Sequence, residues 1–283
     1  MKKISAFILV LVLLLSAGCG GVSEQTEPTT AKSIYVTDVN GKLVPAHDNV
    51  SESELDAAKF IRTENGRVFY DDESVETLTG IDVSVFQGDI DWTAVAQDGI
   101  DFVMLRVGFR GYGPSGKLYE DEKFRENYEG AAAAGLKVGV YFFSQAINPA
   151  EAKSEARFVS ELIADCDIAF PVAFDWEYVD DSSARTADMT SAEITPCAAA
   201  FCAEIKNAGY EPVIYFNCDH GYFNYELSEI SGYHFWLAEY SDIPSFYYDY
   251  KIWQYSEKGT VAGIEGNVDL NISVVDYSKD NVS

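Results

Sequence analysis

The chain is predicted to be an α/β protein, an irregular TIM-like β/α barrel of eight strands and about five helices. Three observations predict it. Between Gly80 and Ser273 short apolar or aromatic runs recur eight times. Helix-like stretches separate the earlier runs, and that alternation makes parallel strands with helices packed outside. Eight strands within about 200 residues suit a closed barrel.

The strand candidates are Gly80–Gln87, Phe102–Phe109, Lys137–Ser144, Pro171–Tyr178, Glu211–Asn217, Tyr233–Tyr240, Tyr250–Ser256 and Gly266–Ser273. Helical stretches lie near Trp92–Gln97, Glu120–Ala134, Ala150–Ile163 and Ser191–Asn207, with a weaker one at Tyr222–Glu229. The last three strands leave almost no room for helices between them, so the barrel is expected to be irregular on that side. This domain is assigned residues 80–283.

Ahead of it lies a different kind of sequence. Met1-Lys2-Lys3, an apolar run from Ile4 to Leu15 and the small residues around Ser16-Ala17-Gly18 make a secretory signal, here assigned to residues 1–18. The run is too short for a membrane span of about 20 residues. Leu15-Ser16-Ala17-Gly18-Cys19 resembles the bacterial lipoprotein box, which implies lipidation of Cys19 and a membrane anchor; simple cleavage and release is the alternative. Residues 19–32 are rich in Thr, Ser, Glu and Gly without periodicity, a flexible tether. Residues 33–79 form a small acidic extension, with short strands at Ser33–Val36 and Arg67–Tyr70, turns at Asn40-Gly41 and Asn65-Gly66, and a short helix over Ser53–Ile61.

The formal net charge of -26 argues against nucleic acid, which proteins bind by neutralising phosphates with Lys and Arg. Only His47, His220 and His234 occur, none paired at ligand spacing, so no metal and no other cofactor is expected. There is no phosphate loop and no Gly-x-Ser-x-Gly elbow. A monomer is expected. Besides Cys19 there are Cys166, Cys197, Cys202 and Cys218. They allow three disulfide pairings in an oxidising compartment. Cys202 shares a helical face with Ile194, Ala198, Phe201 and Ile205, and most of the four are expected to be buried free thiols.

Any chemistry therefore falls to carboxylates. Asp175 and Glu177 end the strand that starts at Pro171. Side chains at i and i+2 of a strand share a face, so these two project together, roughly 7 Å apart at about 3.3 Å per residue. At the carboxyl end of a barrel strand that face opens on the usual active-site mouth. Mutual repulsion and partial burial raise one pKa and keep one proton near neutral pH, which is what protonating a glycosidic oxygen needs. An isolated Asp-x-Glu is more often an exposed strand end. Here Asp82 and Asp269 also sit inside apolar strands, where an unpaired acid costs several kcal/mol. First and last strands of a barrel are neighbours, so these acids are expected to face one another at the same mouth. Phe109, Tyr141, Phe143, Trp176, Tyr178, Tyr215, Trp236, Tyr240, Trp253 and Tyr255 cluster at the same strand ends, about half of them expected in the core and the rest available to sugar faces.

Gly80-Ile81-Asp82-Val83-Ser84 with Phe86-Gln87-Gly88, Asp101-Phe102-Val103 with Leu105-Arg106, Gly139-Val140-Tyr141-Phe142-Phe143, Asp175-Trp176-Glu177, Trp236-Leu237-Ala238, Ile252-Trp253-Gln254-Tyr255 and Val268-Asp269-Leu270-Asn271 together resemble glycoside hydrolase family 25, the Chalaropsis-type lysozymes. The resemblance covers about Gly80 to Ser273. It implies a flattened barrel and cleavage of the β-1,4 bond between N-acetylmuramic acid and N-acetylglucosamine in peptidoglycan. It implies Glu177 as acid/base and Asp82, Asp175 and Asp269 as the other active-site carboxylates. Tyr141, Tyr215, Trp253 and Gln254 are the further candidates for substrate contact. An acetamido-assisted reaction is expected, the alternative being inversion through an activated water. A wall-binding module without catalysis, or a hydrolase of another N-acetylated polymer such as chitin, are the competing readings.

Overall fold

The computed structural model describes residues 34–279; the expected signal sequence, Cys19 and the tether lie outside the described residues. Strands β1 (Tyr35–Thr37) and β2 (Leu43–Pro45) pair antiparallel around Asn40-Gly41. Strands β3 (Phe60–Arg62) and β4 (Val68–Tyr70) do the same around Asn65-Gly66. Gly41 and Gly66 have φ of 75° and 82°, the left-handed region these turns need. The expected helix over Ser53–Ile61 is not formed. A single 3-10 turn, Ala57–Lys59, is capped by Asp56, and the chain then extends. Pairing with β4 wins over local helix preference because it buries Phe60 beside Tyr70, with ring centroids 4.9 Å apart.

The barrel follows: β5 (Leu78–Val83), α1 (Trp92–Gln97), β6 (Phe102–Arg110), β7 (Leu118–Glu120), α2 (Phe124–Ala133), β8 (Lys137–Ser144), α3 (Pro149–Leu162), β9 (Val172–Trp176), α4 (Ser191–Asn207), β10 (Pro212–Asn217), α5 (Cys218–Phe223), α6 (Leu227–Ile230), β11 (His234–Ala238), β12 (Ile252–Gly259) and β13 (Val268–Ser273). Around the barrel the order is β5, β13, β12, β11, β10, β9, β8, β6 and back to β5, with β7 hung antiparallel on β6. Eight strands close the cylinder, and six α-helices are present among the described residues.

One expectation needs correction. The barrel is not wholly parallel: β13 runs antiparallel to both β12 and β5. Only residues 260–267 join β12 to β13. A parallel crossover takes a dozen residues or more, so so short a link returns the chain as a hairpin.

Two apolar layers hold the barrel. Inside it, Phe102, Met104, Ala173, Val213 and Trp236 pack together. Gly80 leaves the space that the Phe102 ring fills; a Cβ there would sit 2.2 Å from the ring. Outside, α4 presents Ile194, Ala198, Phe201, Cys202 and Ile205 at helical spacing. Its start is fixed by a capping box between Thr190 and Glu193. Cys197, Cys202 and Cys218 are buried and Cys166 half-buried, all four as free thiols. Burial pushes the Cys197 thiol up to about 12, which keeps it unreactive.

No long helix covers the outer face of β12, and residues 34–79 cover it instead. Phe60 meets Trp253 edge-on at 5.0 Å, and the Arg62 guanidinium lies 5.2 Å from the Tyr255 ring centre. Backbone bonds from Ser53 to Tyr247 and from Asp249 to Ser51, 3.0 and 2.9 Å, sew the segment down.

Candidate active site

Strand register gathers the acids. Asp175 of β9 lies beside Phe143 of β8 and Tyr215 of β10, and Tyr215 lies beside Trp236 of β11. Residues paired across neighbouring strands share a face, so these four point into the same mouth. Glu177 follows just past the end of β9. Asp82 sits near the end of β5. Asp269 is the second residue of β13, and because that strand is reversed its beginning reaches the mouth; the two aspartates pair in register. All four carboxyls line one cleft of about 300 Å³. That is the low end of the range for small-ligand sites.

A set of amides holds Asp82. Its Oδ2 accepts from Gln254 Nε2 at 2.8 Å and from Asn271 Nδ2 at 2.7 Å. The Gln254 oxygen accepts from the hydroxyls of Tyr215 and Tyr240, at 3.0 and 2.9 Å. The Asn271 oxygen accepts from Trp236 Nε1 at 2.8 Å. An indole nitrogen only donates, so Asn271 must turn its amide nitrogen toward the carboxylate. Burial nevertheless raises Asp82 to about 6, Glu177 adding to the rise while the two amide donors oppose it. Burial and then the charge of Asp82 raise Asp269 to about 8. Of this coupled pair Asp82 is the readier to ionise and Asp269 the readier to keep its proton.

Asp175 is buried, Glu177 half-buried, and burial raises both carboxyls. The charge of Glu177 drives Asp175 further up, while the neighbouring Asp175 carboxyl restrains the rise of Glu177. The two carboxyls therefore titrate as a coupled pair, Asp175 holding a proton the more tightly. Asp175 Oδ1 is buried and meets no protein donor.

The peptide carrying Glu177 is braced from behind. Buried Gln145 donates to the Glu177 carbonyl at 3.2 Å, and buried Thr186 donates to Gln145 at 2.6 Å. Two strands round from β9, Arg106 of β6 pairs with buried Asp121 at 2.7 Å, and its guanidinium lies 4.8 Å from the ring centre of Phe86. Phe86 is 81% exposed, a bare aromatic face at the cleft edge.

Of the residues singled out in the sequence, Glu177, Asp175, Asp82, Asp269, Tyr141, Tyr215 and Gln254 come together in the cleft. Trp253 does not. It pairs with Leu237, faces outward, is fully buried under Phe60 and donates to the Glu239 carbonyl at 2.9 Å. Adjacent strand residues face opposite ways, so Trp253 and Gln254 could not both enter. Of the ten strand-end aromatics, Tyr141, Phe143, Tyr215, Trp236 and Tyr240 line the cleft, while Trp176 and Tyr255 are buried away from it. Asn271, Arg106 and Phe86 were missed as site residues. Asn271 carried a usable signal, a lone amide in an apolar strand two residues after Asp269. Among the described residues no group of three or more His, Cys, Asp or Glu is placed to hold a metal ion, and no helix is long and apolar enough to cross a membrane.

Comparison with known proteins agrees with this picture. The profile of Glycosyl hydrolases family 25 matches residues 81–264. An autolytic lysozyme of Clostridium acetobutylicum is 29% identical over 196 residues, covering 69% of this chain and 55% of that one. Lysozyme M1 of Streptomyces globisporus is 26% identical over 207 residues, covering 69% and 67%. The chain thus spans little more than half the length of the first of these. Among solved structures, the modular autolysin LytC of Streptococcus pneumoniae superposes with a TM-score of 0.63 at 24% identity, covering 84% of this chain and 56% of that one, a likeness of fold.

Proposed function

The chain belongs to glycosyl hydrolases family 25, and from that premise we propose that it is a lysozyme-type muramidase acting on peptidoglycan. The observation that carries the reading is the meeting of Asp175 and Glu177 with Asp82 and Asp269 in one aromatic-lined cleft. The names of the two lysozyme relatives point the same way.

One proton serves two roles. As substrate binds, the proton that Asp175 holds passes to Glu177, the more exposed member, which donates it to the glycosidic oxygen, and N-acetylglucosamine leaves with that proton on its own oxygen. Asp175 is then the carboxylate of the pair. Its unpartnered oxygen accepts from the acetamido N–H of N-acetylmuramic acid, steadying the acetamido oxygen as it closes on the anomeric carbon to give an oxazolinium ion. Ionised Asp82, fixed by Gln254 and Asn271, favours the positive charge that develops there. Water, deprotonated by Glu177, reopens the ring. Substrate assistance of this kind departs from the two-carboxylate schemes, and the i, i+2 spacing of Asp175 and Glu177 leaves little room for an inverting water between them. A wall-binding module without chemistry would be expected to lack one of these acids.

Fragments released from purified peptidoglycan test the proposal. Mass spectrometry is expected to find N-acetylmuramic acid at the new reducing ends, and proton NMR to find the β-anomer first. New ends carrying N-acetylglucosamine would refute the bond assignment, and an initial α-anomer would refute substrate assistance.

The family supports action at the cell envelope. We propose that Cys19 is lipidated and anchors a monomer there through residues 19–32, on the strength of the signal-like run before it. Cys19→Ala is expected to shift the protein from the membrane fraction to the soluble one; unchanged membrane association would refute the anchor.

A further inference from the structure

The catalytic cleft continues into a second groove of about 460 Å³, and the two share Glu177, Tyr215 and Tyr240. The groove is completed by Asn217 and Asp219 at the start of α5 and by Val39 at the tip of the β1–β2 hairpin. Val39 lies far outside residues 81–264, so this part of the groove belongs to the extension and not to the family domain.

The tip is built to keep its shape. Asp38 N–H donates to the Lys42 carbonyl, and Gly41 N–H to the Asp38 carbonyl, both at 2.9 Å. The Asp38 side chain accepts from the N–H groups of Asn40 and Lys42, each at 2.9 Å. Val36 and Asp38 are buried, whereas Val39 is 44% exposed. A braced turn thus holds an apolar side chain in solvent at the edge of a groove that begins at the proton donor.

We propose that this groove is a glycan subsite, in which the hairpin tip packs against a saccharide unit beyond those flanking the scissile bond. The inference rests on the muramidase reading above. Continuity decides the occupant: a linear glycan held at Glu177 must leave the catalytic cleft, and the groove that shares that residue is where it runs. Val39 offers an apolar surface to one face of a sugar ring, and Asn217 and Asp219 offer partners to its hydroxyl and acetamido groups. A stem peptide ending in a carboxylate fits less well beside Asp219, Glu239 and Glu257.

The test uses wall glycans of defined length, from tetrasaccharide upward, with and without their peptides. Wild type is expected to gain kcat/KM with length. Val39→Asp should lose about fivefold on the longer chains, mainly through KM, and match wild type on the tetrasaccharide. Val39→Ile should keep the gain. A wild type without length dependence, or Val39→Asp following wild type at every length, would overturn the proposal. So would a Val39→Asp deficit that vanishes on peptide-free glycans, which would make the occupant a peptide. A wild type inert on every glycan would sink the muramidase reading itself, a result distinct from all of these.

Discussion

Glu177→Gln is expected to fold as wild type does and to clear cell walls about a thousandfold more slowly, the middle of the range for removing a general acid. The amide fits the same space beside Asp175. It also removes one of two crowded carboxyls, so the melting temperature should hold or rise. What is lost is the transferable proton. In wild type, activity should fall on the alkaline side as the pair's proton leaves, since burial raises both groups and the charge of Glu177 raises Asp175 further. A turbidity assay on purified walls, with a thermal melt as control, decides the matter. Clearing within about threefold of wild type would remove Glu177 from the role of acid.

The largest effect on stability is expected away from the cleft. Arg110 lies buried between β6 and α3, with Nε donating to Glu155 at 2.6 Å and the remaining nitrogens reaching the Gly116 carbonyl, Ser154 Oγ and the Glu151 carbonyl. Glu155 is fully buried and accepts also from Ser144 at 2.6 Å. Burial raises Glu155 to about 7 even against the pull of Ser144 and Arg110. Arg110→Met strands that carboxylate, and removing one partner of a buried pair costs about 3–5 kcal/mol. The sign of the pH dependence follows. A carboxyl whose folded pKa is raised favours folding while protonated, and that contribution disappears as the pH climbs through the folded value. Without Arg110 the folded value rises further, so the variant should be weakest at pH 8 and recover toward pH 5. Urea unfolding at the two pH values measures this. The double variant Arg110→Met, Glu155→Gln should regain most of the loss at pH 8. A penalty below about 1 kcal/mol at pH 8, or one indifferent to pH, would show that the pair carries no such burden.

The folding of residues 34–79 illustrates how local sequence can mislead. Ser53–Ile61 reads as a helix by composition, yet Phe60 is worth more as a strand residue under Tyr70 and against Trp253. The same contact explains why Trp253 was misplaced as a sugar contact. An aromatic at a strand end is equally suited to a cleft and to a core. Only the parity of β12, with Gln254 facing in and Trp253 out, separates the two. That parity was available from the chain, because no two neighbouring strand residues share a face.

By itself the sequence determined the eight-stranded barrel, through apolar runs that alternate with helical stretches, and named the four acids, because carboxylates inside apolar strands are too costly to be accidental. Local patterns reach that far because burial acts residue by residue. The reversal of β13, which turns Asp269 toward Asp82 from the other end of its strand, the amide and hydroxyl network fixing Asp82, and the arrival of Val39 in the groove that Glu177 also lines were decided only by the tertiary structure. Each of these brings together residues far apart in the chain, Asp82 with Asp269, Gln254 and Asn271, and Val39 with Glu177. Such contacts are set by how strands close and which surfaces are left to cover, and no local spacing along the chain records either.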